Sequence, residues 1–330
     1  MLRIHFTPDD LARTTVAATP DPLWEVLFSS FRLRAADRAP GLAAWAQHVR
    51  ADNARAARLG RGVRLLSAVA PRGPYIPDFL TPPEGRDGLD AGLDAIMSTP
   101  RERLRREVSR LAEHVQVPDW VRPLAEGDVG FLRRLTTELR AYHDSAIEPY
   151  QETILRAVDT DRARRLPGAA ERDVEAIFRS LGSGVRWRNP LLEVDYRVDK
   201  DLFLNGRGLR IVPSFFSRGT ADSLADTSLA PVLIFSIDRL GQSTELAAVG
   251  GHRSLAALMG ATRADVLCAI GDGVSTTELA HRLLISLASA SRHTAVLRDA
   301  GLIATHRDGA AVVHTLTPLG AAFLDHHHLP

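Results

Sequence analysis

Lysine is almost missing from this chain: among its 41 basic residues only Lys200 is not an arginine. Its cationic groups are therefore planar, permanently charged forks, suited to carboxylates and phosphates. Cysteine is nearly as scarce. Cys268 stands alone, which excludes an intramolecular disulfide and a cysteine-cluster metal site and makes the cytoplasm the expected compartment. Long apolar runs are missing too. The longest, Pro231 to Phe235, is far short of the roughly 20 residues a membrane span needs. Met1 to Asp10 has no basic stretch followed by an apolar core and reads as no signal peptide. There is no G-x-S-x-G, no H-E-x-x-H, no P-loop and no complete G-x-G-x-x-G. Gly206-Arg207-Gly208 lacks the third glycine and the following helix and reads as a turn. Neither an enzyme nor a cofactor is expected.

What is present suffices for two folded domains. The chain has 330 residues, 45% of them hydrophobic, about twice the common domain size. Its formal net charge is +1. That rules out a grossly basic nucleic-acid coat and still permits a local cationic surface.

The pattern over residues 1 to 245 is helix-rich α+β. Leu2, Ile4 and Phe6 alternate with polar residues as in a short strand. Thr7-Pro8-Asp9-Asp10 reads as a helix start, with a hydroxyl cap, proline at the first position and acids in the first turn. Asp21-Pro22 opens a helix with Leu23, Trp24, Leu27, Phe28 and Phe31 on one face. Leu42, Trp45 and Val49 mark the next. Residues 71 to 88 form a Pro/Gly-rich loop that Tyr75, Ile76, Phe79 and Leu80 can pin down. Helical periodicity then runs through Ser180, broken at Pro149 and Pro167-Gly168. Strands are expected over 185–196, 201–216 and 232–237, forming a small antiparallel sheet. Asn205-Gly206 between apolar runs predicts a hairpin.

Residues 250 to 330 carry a different, compact rhythm: short helices at 252–259 and 262–270, and a third capped by Ser275 or Thr276. A tight turn follows at Leu284-Ile285-Ser286, then a helix over 287–300 capped by Ser286. Strands at 302–305 and 311–316 flank a turn at His306 to Gly309, and Thr317-Pro318 starts a last helix. This is the order of a winged helix-turn-helix, in which a short turn holds the second helix clear of the surface for the major groove. On 287–300, Ala290, Thr294 and Leu297 should face the core. The candidate DNA-contacting set is Thr276, Thr277, Ser286, Ser289, Ser291, Arg292, His293 and Arg307. Hydroxyls allow close approach, an arginine can fork onto guanine or phosphate, and a basic hairpin tip can reach the neighbouring backbone.

The segments Gly260 to Leu267, Thr276-Thr277-Glu278-Leu279-Ala280, Ser289-Ala290-Ser291-Arg292-His293, Val296 to Ile303 and Arg307-Asp308-Gly309 together resemble the ArsR-like family of winged-helix repressors over about residues 252 to 324. Pro77-Asp78-Phe79-Leu80 and Val212-Pro213-Ser214 resemble the long N-terminal region of an actinobacterial subset of such regulators. The resemblance implies a transcriptional regulator, a repressor by family habit. This chain has Leu284 where the family's turn has Gly, Leu287 where Pro is frequent and Thr294 where Leu is usual. Its Glu278-Leu279-Ala280-His281 lacks the family's thiolate metal motif.

Residues 251 to 325 hold six arginines and six acids, so a monomer should bind DNA weakly and a homodimer on paired half-sites is expected. Residues 1 to 245 are expected to serve dimerisation and response to a small-molecule effector or partner. Two other readings stay open at this level. Asp325-His326-His327-His328 could make the regulator metal-responsive, since His and carboxylates ligate zinc. Alternatively, the C-terminal domain could be a protein-interaction scaffold that never touches DNA.

Overall fold

The computed structural model describes the chain except residues 35–39, 52, 166–172, 183, 239–254, 257, 272, 309–310 and 329–330; at 40, 41, 44, 51, 53–58, 308, 311 and 325–328 it describes the backbone only. The fold is mixed α+β, and the chain divides into two compact units. One comprises Met1–Asp37 with Asp52–Leu240; the other comprises Arg38–Ala51 with Gly241–Pro330.

In the first unit, β1 (Leu2–His5) leads into α1 (Pro8–Arg13). Thr7 caps α1 reciprocally with Asp10: its hydroxyl accepts the Asp10 N–H at 3.2 Å, and the Asp10 carboxylate accepts the Thr7 N–H at 2.8 Å. That box satisfies two otherwise orphaned helix-end donors. After β2 (Thr15–Val16) comes α2 (Pro22–Arg34), where Asp21 accepts the N–H groups of Leu23 and Trp24. The apolar face expected here is buried, and so are Val26, Ser29, Ser30 and Glu25, so α2 is a core helix enclosed on nearly every side. Buried Glu25 accepts the N–H groups of Phe215 and Phe216 at 3.0 and 3.1 Å.

The helices α3 (Pro40–Ala51, assigned to the second unit), α4 (Asn53–Val69), α5 (Leu89–Met97), α6 (Arg101–Ala112), α7 (Arg122–Ala125), α8 (Val129–Ala146), α9 (Gln151–Arg165) and α10 (Val174–Ser180) follow. Helix α8 packs on α2, α4 and α5. The Pro/Gly-rich loop is pinned as expected, with Tyr75, Phe79 and Leu80 buried. Pro149 lies in a short 3₁₀ turn between α8 and α9; Pro167-Gly168 lies outside the described residues.

The expected small antiparallel sheet is corrected in two ways. Among the described residues this unit has two sheets, and each contains parallel pairing. Strands β3 (Val185–Arg188), β4 (Leu191–Val194), β1 and β5 (Lys200–Phe203) form one in the order β3-β4-β1-β5; β1 runs antiparallel to β4 and parallel to β5. Strands β2, β6 (Arg210–Ser214) and β7 (Val232–Ser236) form a wholly parallel one. The Asn205-Gly206 hairpin is overturned for the same reason. Asn205 and Gly206 do turn, with φ of 54° and 80°, but β5 and β6 part into different sheets. The chain is captured by α1 instead: the Gly208 N–H donates to Asp10 at 2.9 Å. A Cβ on Gly208 would lie 2.6 Å from the Arg13 carbonyl oxygen, at a φ of +72°.

In the second unit, Leu255, Ala256, Leu258 and Met259 are helical. Then come α11 (Ala261–Ala269), β8 (Val274–Ser275), α12 (Thr276–Arg282), α13 (Leu287–Asp299), β9 (Ile303–Asp308), β10 (Ala311–Leu316) and α14 (Pro318–His328). The strands form an antiparallel sheet in the order β8-β10-β9. Leu255, Val266, Leu267, Leu279, Leu297 and Ile303 are central to a single apolar core, on which Cys268 packs half-buried. Burial pushes the Cys268 thiol up, as for a small inert core residue. Among the described residues no helix is long and apolar enough to cross a membrane.

Candidate nucleic-acid interface

The most distinctive surface of the second unit is the outward face of α13. Its start is fixed by Ser286, whose hydroxyl accepts the Ser289 N–H at 3.1 Å, a hydroxyl N-cap worth about 1 kcal/mol. Its inner stripe is the one its spacing predicts: Ala290, Thr294 and Leu297 are 0%, 3% and 2% exposed. Thr294 carries a hydroxyl on that stripe and donates it to the Ser291 carbonyl at 3.0 Å, so no buried donor is left unmatched.

Helix α12 is joined to α13 by a tight left-handed turn. Leu284 has φ 53°. The Ile285 N–H donates to the Ala280 carbonyl at 3.0 Å, and the Leu284 N–H to the His281 carbonyl at 3.4 Å. This bond pair closes a Schellman turn, normally built on glycine. Leu284 and Leu287 stand 92% and 54% exposed beside the start of α13.

The candidate residues do not all stand alike. Ser291 and Arg292 are exposed on α13, and Ser289 and His293 are half-buried at the edges of its inner stripe. Ser286 is exposed but its oxygen is committed to the cap. Thr277 is exposed in the first turn of α12. Thr276 is half-buried, its hydroxyl 2.8 Å from Nε2 of His314. Arg307 is exposed, but it lies within β9 opposite Val312 rather than in a turn. The turn expected at His306 to Gly309 is thus strand through Asp308; Gly309 lies outside the described residues, as do the side chains of Asp325, His326, His327 and His328.

Ion pairing sorts the arginines of this unit. Arg282 pairs with Glu278, and Arg298 with Asp299. Arg263 on α11, Arg292 on α13 and Arg307 on β9 have no carboxylate partner among the described residues. Burial first, then the nearby charges of Arg263 and Arg292, hold the His293 imidazole below its usual range. An overall neutral segment therefore has a local concentration of uncompensated positive charge around the middle of α13.

Sequence reasoning missed His314. It is 3% exposed on β10 and bridges two hydroxyls, Thr276 through Nε2 and Thr305 through Nδ1 at 2.9 Å. Burial first, then Arg298 and His306, keep its pKa low. The only sequence signal was a histidine at an inward position of a strand, which is too common to single out. Comparison with protein-family models, with curated proteins and with solved structures returns no match to this chain.

Proposed function

We propose that residues 255–328 form a winged helix-turn-helix that binds double-stranded DNA and that the protein is a transcriptional regulator acting as a homodimer. In this reading α13 enters the major groove. Ser291 and Arg292 address base edges, Ser289 and His293 flank them, and Thr277 and the α12 start meet phosphate. β9 and β10 are the wing, carrying Arg307 to the adjacent backbone.

The observation that carries this reading is the outward face of α13, an exposed, capped helix bearing Ser291 and Arg292, with Arg292 unpaired by any carboxylate among the described residues. Arg282, one helix earlier, is by contrast paired with Glu278 at i, i+4. Leu287, exposed at the first helical position, adds an apolar group suited to a thymine methyl. Repression is the expected sign, following the family resemblance. Two copies double the phosphate contacts that a segment with balanced charge supplies sparingly.

The experiment is capture of fragmented genomic DNA by the purified full chain at stated salt, followed by anisotropy titration on the enriched sequence. Enrichment of a sequence with two-fold symmetry supports the reading. Recovery of no sequence above background at low salt sinks it and leaves the protein-interaction role.

A further inference from the structure

Within the first unit, the N-terminal ends of β2, β6 and β7 open onto a cavity of ≈ 210 Å³. Four arginines line it, Arg13, Arg86, Arg207 and Arg210, against one lining carboxylate, Asp21. This excess is uncommon in a chain whose acids and bases balance at 40 and 41.

The partners of these arginines leave much of their charge unanswered. Arg207 donates to five main-chain carbonyls, those of Phe203, Leu204, Thr227, Ser228 and Leu229. Those bonds fix the guanidinium rigidly and carry no neutralising charge. Arg13 donates to the Gly206 carbonyl at 2.7 Å. Arg210 stands 3.7 Å from Asp21, and Arg86 is mostly exposed and pairs with its neighbour Asp87 at 3.4 Å. Asp10, just behind Gly208, spends its carboxylate on the N–H groups of Thr7 and Gly208. The site thus gathers four forks, of which Arg13 and Arg207 are held by neutral carbonyls. Trp24 and Leu224 supply an apolar wall. Such a mixture of apolar lining and few, fixed polar groups is the usual composition of a small-molecule site.

The geometry points to this cavity as a binding site for a small organic anion, a carboxylate or phosphate monoester carried on a compact apolar body. Arginine forks match both head groups, which present two or three oxygens to parallel N–H donors. The volume, ≈ 210 Å³, gives room for several waters and so for a single-ring acid. The ring lies against Trp24, and the head group meets Arg13, Arg86 and Arg210.

The test is isothermal titration of the full chain, without DNA, with benzoate and with phenyl phosphate, using benzyl alcohol as the uncharged control. At least one anion is expected to bind saturably below about 1 mM, and the preferred one identifies the head group. Arg86→Gln, on an exposed residue paired with its neighbour Asp87, should weaken binding about tenfold with an unchanged circular dichroism spectrum. Arg13→Gln should do likewise. No binding of either anion at 1 mM overturns the proposal, as does equal affinity for benzyl alcohol or indifference to both arginine variants. Because no DNA is present, failure here leaves the DNA reading standing, and failure of DNA capture leaves this site standing.

Discussion

The Thr276 hydroxyl lies 2.8 Å from Nε2 of His314, tying the start of α12 to the central strand of the β8-β10-β9 sheet. The other ring nitrogen of His314 meets Thr305 on β9, so one buried imidazole joins a helix and two strands. A neutral imidazole has one donor and one acceptor, and two hydroxyls can match both.

This linkage predicts a pH dependence. Burial holds the folded ring's pKa below the ordinary 6.5, so between the two values the unfolded chain takes up a proton that the folded chain refuses. The ring's contribution to stability is complete above about 6.5 and is lost as pH falls from there towards the folded value. Thermal melts of the wild type should lose stability over that interval, and His314→Gln should show a shallower slope. Equal slopes would mean that His314 does not titrate differently in the folded state.

Asp78 predicts the opposite sign in the first unit. Its carboxyl is buried and raised from 3.8 to about 6, burial outweighing the N–H bonds from Ala225 and Asp226 at 2.8 and 2.7 Å. Between about 4 and 6 the folded state binds the proton more tightly, so this group's contribution falls as pH rises through that window. The melting-temperature advantage of wild type over Asp78→Asn should shrink from pH 4 to pH 6 and stay level above 7. An advantage that grows over that window contradicts the assignment.

The turn before α13 yields a stabilising substitution. Leu284 holds a left-handed φ with its side chain in water, so it bears the steric cost of that conformation without burial in return. Leu284→Gly should stabilise the second unit by about 1 kcal/mol, read as a higher denaturation midpoint at unchanged slope. A loss of stability would show that Leu284 is covered, as by a second copy of the chain.

Leu297, 2% exposed on the inner stripe of α13, sets the orientation of that helix. Leu297→Ala should cost roughly 2–5 kcal/mol in a urea melt. A melt that stays put would mean that the helix is rotated from the orientation described.

The second unit was the more legible in the sequence because its signals are local. Ser275 and Ser286 cap the helices they precede, and the i, i+4, i+7 spacing of Ala290, Thr294 and Leu297 marks the buried stripe. Arg307 falls in β9 rather than in a turn because Asp308-Gly309 reads as a turn signal, whereas the strand continues through Asp308. In the first unit the strands were visible but not their partners. Alternation shows that Leu2 and Ile4 face a core; nothing in it shows that β1 pairs parallel with β5, nearly 200 residues away. Asn205-Gly206 supplied a sound turn, and the hairpin failed because Gly208 docks on α1, a tertiary contact with no local signature. Glu25 was missed likewise, since its two N–H partners come from Phe215 and Phe216. The arginine cavity assembles residues from positions 13 to 232, which no window along the chain brings together.

The proposed DNA binding depends on what the outward face of α13 touches, and Arg292 is the most direct probe of that face. Wild type and Arg292→Ala should be titrated by fluorescence anisotropy against the captured DNA and a scrambled duplex, each at two salt concentrations. If Arg292 reads a base, the variant loses about 1–3 kcal/mol on the captured sequence and little on the scrambled one; if it meets phosphate, both weaken alike and the salt slope falls by about one. Unchanged affinity and unchanged slope on both duplexes would remove α13 from the DNA and contradict the proposed function.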